Sequence, residues 1–196
     1  MRDVVVTHVR HQGPPRRSRS LEERLFVRFP SLYRWPAALS SRLLSPRSRP
    51  RRLLLRRAIV SGWQATSRGD FELVRVRYAG DAEFEFDPDF EAIGLTGPFQ
   101  GPEAREQTFQ EEWERWEAVP VTVIDLGDRA VVLGTLRLTG KASGVELERK
   151  VAQVLTSRDG LAVHDKVFLS WDKGLRAAGL DPDAVALRPK DRGDPG

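Results

Sequence analysis

At 196 residues, 40% of them hydrophobic, the chain has the size and composition of one globular domain with a sizeable core. It has no cysteine, which excludes disulfides, thiolate catalysis and zinc–cysteine sites and fits a reducing cytoplasm. Charge is split: residues 1–57 carry 15 Arg against Asp3, Glu22 and Glu23, while the remainder carries 17 basic and 25 acidic side chains. A basic arm on an acidic body is a pattern of contact with nucleic acid or an anionic membrane. Every base in the arm is Arg, however, and the chain holds 27 Arg against 5 Lys, a codon habit that accounts for the arm without a partner. No apolar run reaches the ~18 residues of a membrane span, and the first residues lack the apolar core of a secretory signal.

Residues 1–50 read as an Arg-rich extension. Its start, ending in GPPRRSR, is expected to be disordered. Ser20 to Glu23 then forms a capping box. Leu21, Leu25 and Phe29 share one helical face, and Trp35, Leu39 and Leu43 share the next. These two amphipathic helices either dock on the body or lie on a membrane surface; docking is the expected use, since an apolar partner is available next door.

The main domain is expected over residues 51–180. Pro50 suits the first turn of a helix carrying Leu54, Ala58, Trp63 and Ala65. Gly69 stops it, Asp70 caps a short successor, and Phe71, Val74 and Tyr78 form that helix's buried face. Residues 82–86 alternate as a half-buried strand, with Phe84 and Phe86 inward and Glu83 and Glu85 outward. A loop from Asp87 to Gly101 carries apolar residues of its own and covers part of the core. Pro102 opens a further helix on which Phe109, Trp113 and Trp116 follow i, i+4, i+7 until Pro120 ends it.

From Val121 to Leu169 three turn signals cut the chain into four runs rich in Val, Leu and Thr. Short connections make these a four-strand antiparallel meander. Ser170 then caps a last helix with Trp171 and Leu175 inward, and residues 181–196 form a frayed tail. The class is α+β, with helices gathered on one face of an antiparallel sheet.

One carboxylate interrupts the last strand. Val163, Val167 and Leu169 share a face, and period 2 puts Asp165 among them. A carboxylate on an apolar face is either paired or a working acid or base. A bulge turning it outward, or a pairing with Arg149 or Lys150, are the alternatives. His164 falls on the opposite face with Lys166. With His8 and His11 in the lead-in and no cysteine, no transition-metal site and no cofactor are expected. The acidic run Glu83, Glu85, Asp87, Asp89, Glu91 reads as a solvated edge. Arg137 either pairs with an inward acid or points outward.

The stretches SRGDFELV (67–74), YAGDAEFEF (78–86), FQGPEA (99–104), DLGDRAVVLG (125–134), SGVELE (143–148), SRDGLAV (157–163) and LRAAGL (175–180) resemble, in order and spacing, the SnoaL-like branch of the nuclear-transport-factor-2-like superfamily. The resemblance covers roughly residues 52 to 180. It implies a cone, a strongly curved antiparallel sheet wrapped by helices around a pocket, and homodimers through the sheet's outer face. Such a dimer would explain why 145–156 is apolar on both faces. The implied pocket is built from Trp63, Tyr78, Phe84, Phe86, Trp113, Trp116, Ala152, Val154, Val163 and Val167. The tyrosine and two acids of ketosteroid isomerases fall here on Gly62, Phe86 and Ala152, and the acid of SnoaL-type cyclases on Val167. No trio matches the Asp–Arg–Asp arrangement of limonene-epoxide-hydrolase-like members. Three uses are therefore open: binding of a small apolar or polyketide-like molecule; an isomerase, cyclase, dehydratase or epoxide hydrolase acting through Asp165; and an interaction module whose Arg arm meets nucleic acid or anionic lipid.

Overall fold

The computed structural model describes residues 5–9, 18–95, 97–104, 106–107, 113–141 and 144–185. One curved, unclosed sheet organises them. Its strands are β1 (Val5–His8), β2 (Tyr78–Phe86), β3 (Phe99–Gln100), β4 (Trp113–Asp125), β5 (Arg129–Gly140), β6 (Glu146–Arg158) and β7 (Leu161–Phe168). They lie in the order β1-β4-β5-β6-β7-β2-β3. The meander β4 to β7 is antiparallel and connected in sequence order, as its turn chemistry predicts. Gly127, Gly144 and Gly160 take positive φ at the three turns. The sheet is not wholly antiparallel, because β2 runs parallel to β7. A parallel pair needs a long crossover, and here the crossover is the meander itself.

Helices α1 (Leu21–Arg28), α2 (Ser31–Leu43), α3 (Arg49–Ser67), α4 (Phe71–Arg75) and α5 (Trp171–Ala177) accompany the sheet, and residues 102–104 and 106–107 are helical as well. Their starts follow local rules. Ser20 and Glu23 make the expected capping box, Asp70 caps α4 through the Leu73 amide, and Ser170 caps α5 through Lys173. Helix α3 packs across the inner face of the sheet, where Ile59, Trp63 and Ala65 join the core with Phe84, Leu136 and Leu155. Helix α5 covers the outer face, where Trp171 and Leu175 pack with Ile124, Val131, Leu133, Ala152 and Val154. The apolar outer side of β6 thus has its partner within the chain, and a second copy is not needed to explain it.

Three elements differ from the sequence reading, and one is β2, which begins at Tyr78, a residue expected on the buried face of α4. Val5–His8, inside the supposed disordered lead-in, pairs with β4 from Thr122 to Asp125; this run of β-branched residues is a strand signal overshadowed by the charges after it. Trp113 and Trp116 lie on β4, not on a helix. Their helical spacing is coincidental, and Phe109 is outside the described residues. Pro120 does not end the element. It sits at a register shift in β4, a place where a missing N–H is tolerated. The supposed covering loop contains a short 3-10 turn, Pro88–Ile93, and β3, and buries Phe90 and Leu95 completely.

A buried ion pair fixes α3 to the sheet. Arg51 donates Nε to Asp125 Oδ2 at 2.8 Å and Nη2 to Oδ1 at 3.1 Å. Its remaining donors reach the carbonyls of Ser41, Leu44 and Gly127. Gly134 lets Trp63 lie against β5, since a Cβ there would overlap both the Val119 carbonyl and the Trp63 ring.

Candidate functional site

A cavity of about 160 Å³ lies between α3 and the inner face of the sheet. Ile59 and Trp63 line it from α3, Leu136 from β5, Val151, Gln153 and Leu155 from β6, Tyr78 and Phe86 from β2, and Val167 from β7. Tyr33 of α2 and Gly160 of the β6–β7 turn also contribute. The alternation of β6 decides the wall: Val151, Gln153 and Leu155 face in.

A line of buried polar groups runs through this wall. Trp63 Nε1 donates to Gln153 Oε1 at 2.8 Å. Gln153 Nε2 donates to Asp165 Oδ2 at 2.8 Å, and the Tyr78 hydroxyl donates to the same oxygen at 2.7 Å. An indole N–H can only donate, so the Gln153 carbonyl must face Trp63 and its amide nitrogen must face Asp165. Asp165 is fully buried, one layer behind the lining, with Phe84 and Leu155 beside it in register. Its other oxygen, Oδ1, is buried and accepts no hydrogen bond among the described residues.

Arg77 is the cationic element of the wall. It is buried, donates to the Ala58 carbonyl at 2.7 Å and to Ser61 Oγ at 2.9 Å, and lies 5.1 Å from the Tyr33 ring centroid. No carboxylate among the described residues is within ion-pair distance of it. Ser61 in turn donates to Glu23 at 2.6 Å. Glu23 pairs with Arg68, Arg68 with Asp70, and Asp70 with Arg19. Burial pushes the Glu23 carboxyl up, but hydrogen bonds from Ser61, the Ser20 amide and Arg68 outweigh it and hold it below the usual carboxylate range. Burial likewise opposes the Asp70 carboxylate, and Arg19 and Arg68 hold it below that range.

Of the residues expected in the pocket, Trp63, Tyr78, Phe86 and Val167 line this cavity. Phe84 is core, its ring tilted against that of Tyr78 with centroids 4.9 Å apart. Trp113 and Trp116 pack beside the cavity on β4, and Trp116 donates its N–H to the Thr66 carbonyl. Ala152 and Val154 belong to the outer face, because a register error of one residue exchanges the faces of a strand. Ala152 lies so close to Gly174 of α5 that a Cβ at 174 would overlap it. Val163 is the extra residue where the β6–β7 register shifts, and Ala162 takes its place in the wall. Of the positions named for catalytic groups in relatives, Gly62, Phe86 and Val167 line the cavity and Ala152 does not.

His164 is on the opposite face from Asp165, 3.0 Å from Glu85. Lys166 pairs with the other Glu85 oxygen, and the two together depress the Glu85 carboxyl, Lys166 more strongly. Glu83, Glu85 and His164 offer ligand atoms within 4.8 Å of one another. Lys166 already neutralises the central carboxylate of that group, which opposes a metal there. Arg137 points outward to Glu148 and Glu117. Sequence reasoning missed Gln153, Arg77 and Tyr33. Gln153 had a legible signal, as the one polar side chain in the apolar run 151–155.

A mixed sheet in this order, with α3 closing a cavity on its inner face, defines an NTF2-like α+β fold. Within that class, the SnoaL-like domain matches residues 57–164, more than half of the chain, and the protein belongs to that family. Similar solved structures include an NTF2-like protein of unknown function from Burkholderia pseudomallei K96243, 22% identical over 62% of this chain and 94% of that chain, TM-score 0.53. TerC, co-crystallized with polyporic acid, is 22% identical over 57% of this chain and 87% of that chain, TM-score 0.50. An NTF2-like protein from Burkholderia thailandensis E264 matches with the same identity, coverage and TM-score. At such identities the likeness is one of fold. No curated protein matches the sequence.

Proposed function

We propose that the protein binds a small, largely apolar molecule in the cavity beneath α3. The observation that carries this reading is an apolar cavity whose wall holds the ordered line Trp63–Gln153–Asp165–Tyr78. Its volume, about 160 Å³, is close to that of an engineered apolar cavity that takes benzene. A few fixed polar groups in an otherwise apolar wall orient a ligand while burial supplies affinity. Among the described residues Arg77 meets only neutral acceptors and an aromatic face, which favours a ligand with an oxygen-bearing end. TerC, alike in fold, was co-crystallized with polyporic acid, which supports a small-molecule use of the fold.

Native mass spectrometry of the purified protein tests the proposal. A bound small molecule, lost on filling the cavity by Gly62→Leu in a variant that stays folded, is the expected result. An empty protein that also binds no member of an aromatic and polyketide-like compound set would overturn it.

A second reading makes the same site an enzyme, with Asp165 moving a proton on the bound molecule by way of Tyr78, which lines the cavity and whose hydroxyl donates to it. It is favoured by Asp165 Oδ1, a buried carboxylate oxygen with no donor among the described residues. Once a ligand is known, Asp165→Asn separates the two. Turnover lost with binding retained supports chemistry; absence of turnover in the unaltered protein leaves binding alone.

A further inference from the structure

Helix α1 packs Phe26 and Val27 against the core, but it and α2 present most of their other large apolar side chains to water. Leu32, Trp35, Leu39 and Leu43 form one stripe of α2 at i, i+3, i+7 and i+11, and Leu21 and Leu25 do the same on α1; all six are between 47 and 78% exposed. This reverses the expected docking of these faces on the body. Helix α2 is held instead by its small and polar side: the Ala37 and Ala38 backbone lies against Gly160, too close for any Cβ there, Tyr33 stacks on Arg77, and Arg42 pairs with Asp159 at 2.7 Å. The apolar stripe is therefore a surface built outward, and it is larger than scattered exposure explains.

Its surroundings are cationic. Residues 18–57 carry eleven Arg, of which Arg19, Arg42, Arg51 and Arg57 pair with Asp70, Asp159, Asp125 and Glu22. Glu22 is paired with Arg57 and Glu23 with Arg68. Arg24, Arg28 and Arg34 are exposed and make no ion pair among the described residues.

We propose that the α1–α2 face is a site for an anionic phospholipid surface, with Leu and Trp at the acyl boundary and Arg at the lipid phosphates. Nucleic acid would engage the Arg and leave the Leu–Trp stripe in water. A second copy on the same face would set one positive field against another. No described helix is long and apolar enough to cross a membrane, so the contact is peripheral. Because Tyr33 of α2 also lines the cavity, a bilayer beneath α2 lies next to the cavity wall.

Vesicle flotation with the full chain tests this, using phosphatidylcholine alone and phosphatidylcholine mixed with phosphatidylglycerol. The protein floats with the mixed vesicles only, and less so as salt rises. Trp35→Ser/Leu39→Ser lowers the partition by about tenfold or more, and Arg28→Gln/Arg34→Gln by about tenfold. Both variants alter exposed side chains and keep the parent melting temperature. Four outcomes overturn the proposal: no flotation with either vesicle; equal flotation of Trp35→Ser/Leu39→Ser; self-association abolished by that variant; or DNA binding that the variant leaves intact.

Discussion

The indole N–H of Trp63 donates to Oε1 of Gln153 across 2.8 Å, and that bond decides which end of the amide faces Asp165. Three residues on α3, β6 and β7 are thereby ordered by the single-donor character of one of them. Gln153→Leu removes both links and leaves the Trp63 N–H buried without its acceptor. We expect a loss of about 1–3 kcal/mol in denaturant unfolding, with a shift of the Trp63 indole proton in the NMR spectrum. Trp63→Phe tests the ordering role apart from stability. Freed of its donor, the Gln153 amide can reverse, and ligand affinity falls more than ring loss alone explains.

Gly134 is a packing requirement. A Cβ there meets both the Val119 carbonyl of the neighbouring strand and the Trp63 ring of α3. Gly134→Ala is expected to cost about 3 kcal/mol, the upper end for overpacking. Gly80→Ala is the control, because no atom lies within 4 Å of its added carbon and its φ is ordinary. Its change stays within about 0.5 kcal/mol. Thermal melts of the two variants side by side check the contrast.

The Arg51–Asp125 pair is buried on both sides, so removing one partner strands the other. Asp125→Ala is expected to lose about 3–5 kcal/mol. The double change Arg51→Met/Asp125→Leu recovers much of that, since an apolar pair has no charge to desolvate. A double-mutant cycle in urea measures the difference.

Acid sensitivity follows from Glu23 and Asp70. Both are held below their ordinary values in the fold, Asp70 by Arg19 and Arg68 against burial, Glu23 by Ser61, Ser20 and Arg68 against burial. A carboxylate depressed in this way stabilises the fold above its unfolded value, near 4, and that stabilisation disappears as pH falls through the folded value. Stability should therefore fall below about pH 4. Asp70→Asn lowers stability at neutral pH and flattens the acid limb; chemical unfolding at a series of pH values reads both effects.

What was legible in the sequence was local. Ser20, Asp70 and Ser170 act within three residues of themselves, so their caps are read from neighbouring letters. The meander was legible because Gly127, Gly144 and Asp159-Gly160 mark turns by their own backbone needs. What failed was decided at a distance. Trp113 and Trp116 have helical spacing, yet β5 claims them through eleven paired positions along β4. The facing of Ala152 and Gln153 depends on register, and nothing within β6 states which set faces α3. Asp165 was found because a charge on an apolar strand is conspicuous; its partners were not, because Tyr78 and Gln153 reach it from β2 and β6. The outward stripe of α2 was read correctly as amphipathic and wrongly as inward, since Ala37 and Ala38 dock as readily as leucine where Gly160 makes room.

The parallel placement of β2 beside β7 also has a kinetic meaning. The strands from β4 to β7 form by successive local closures, whereas Tyr78 must find Asp165 across 87 positions of chain. Closing so long a loop is entropically dear, and contacts of this separation form late in folding. The Tyr78–Asp165 bond is thus a marker of completed assembly, and a probe placed on it reports the arrival of the native state rather than of the hairpins that precede it.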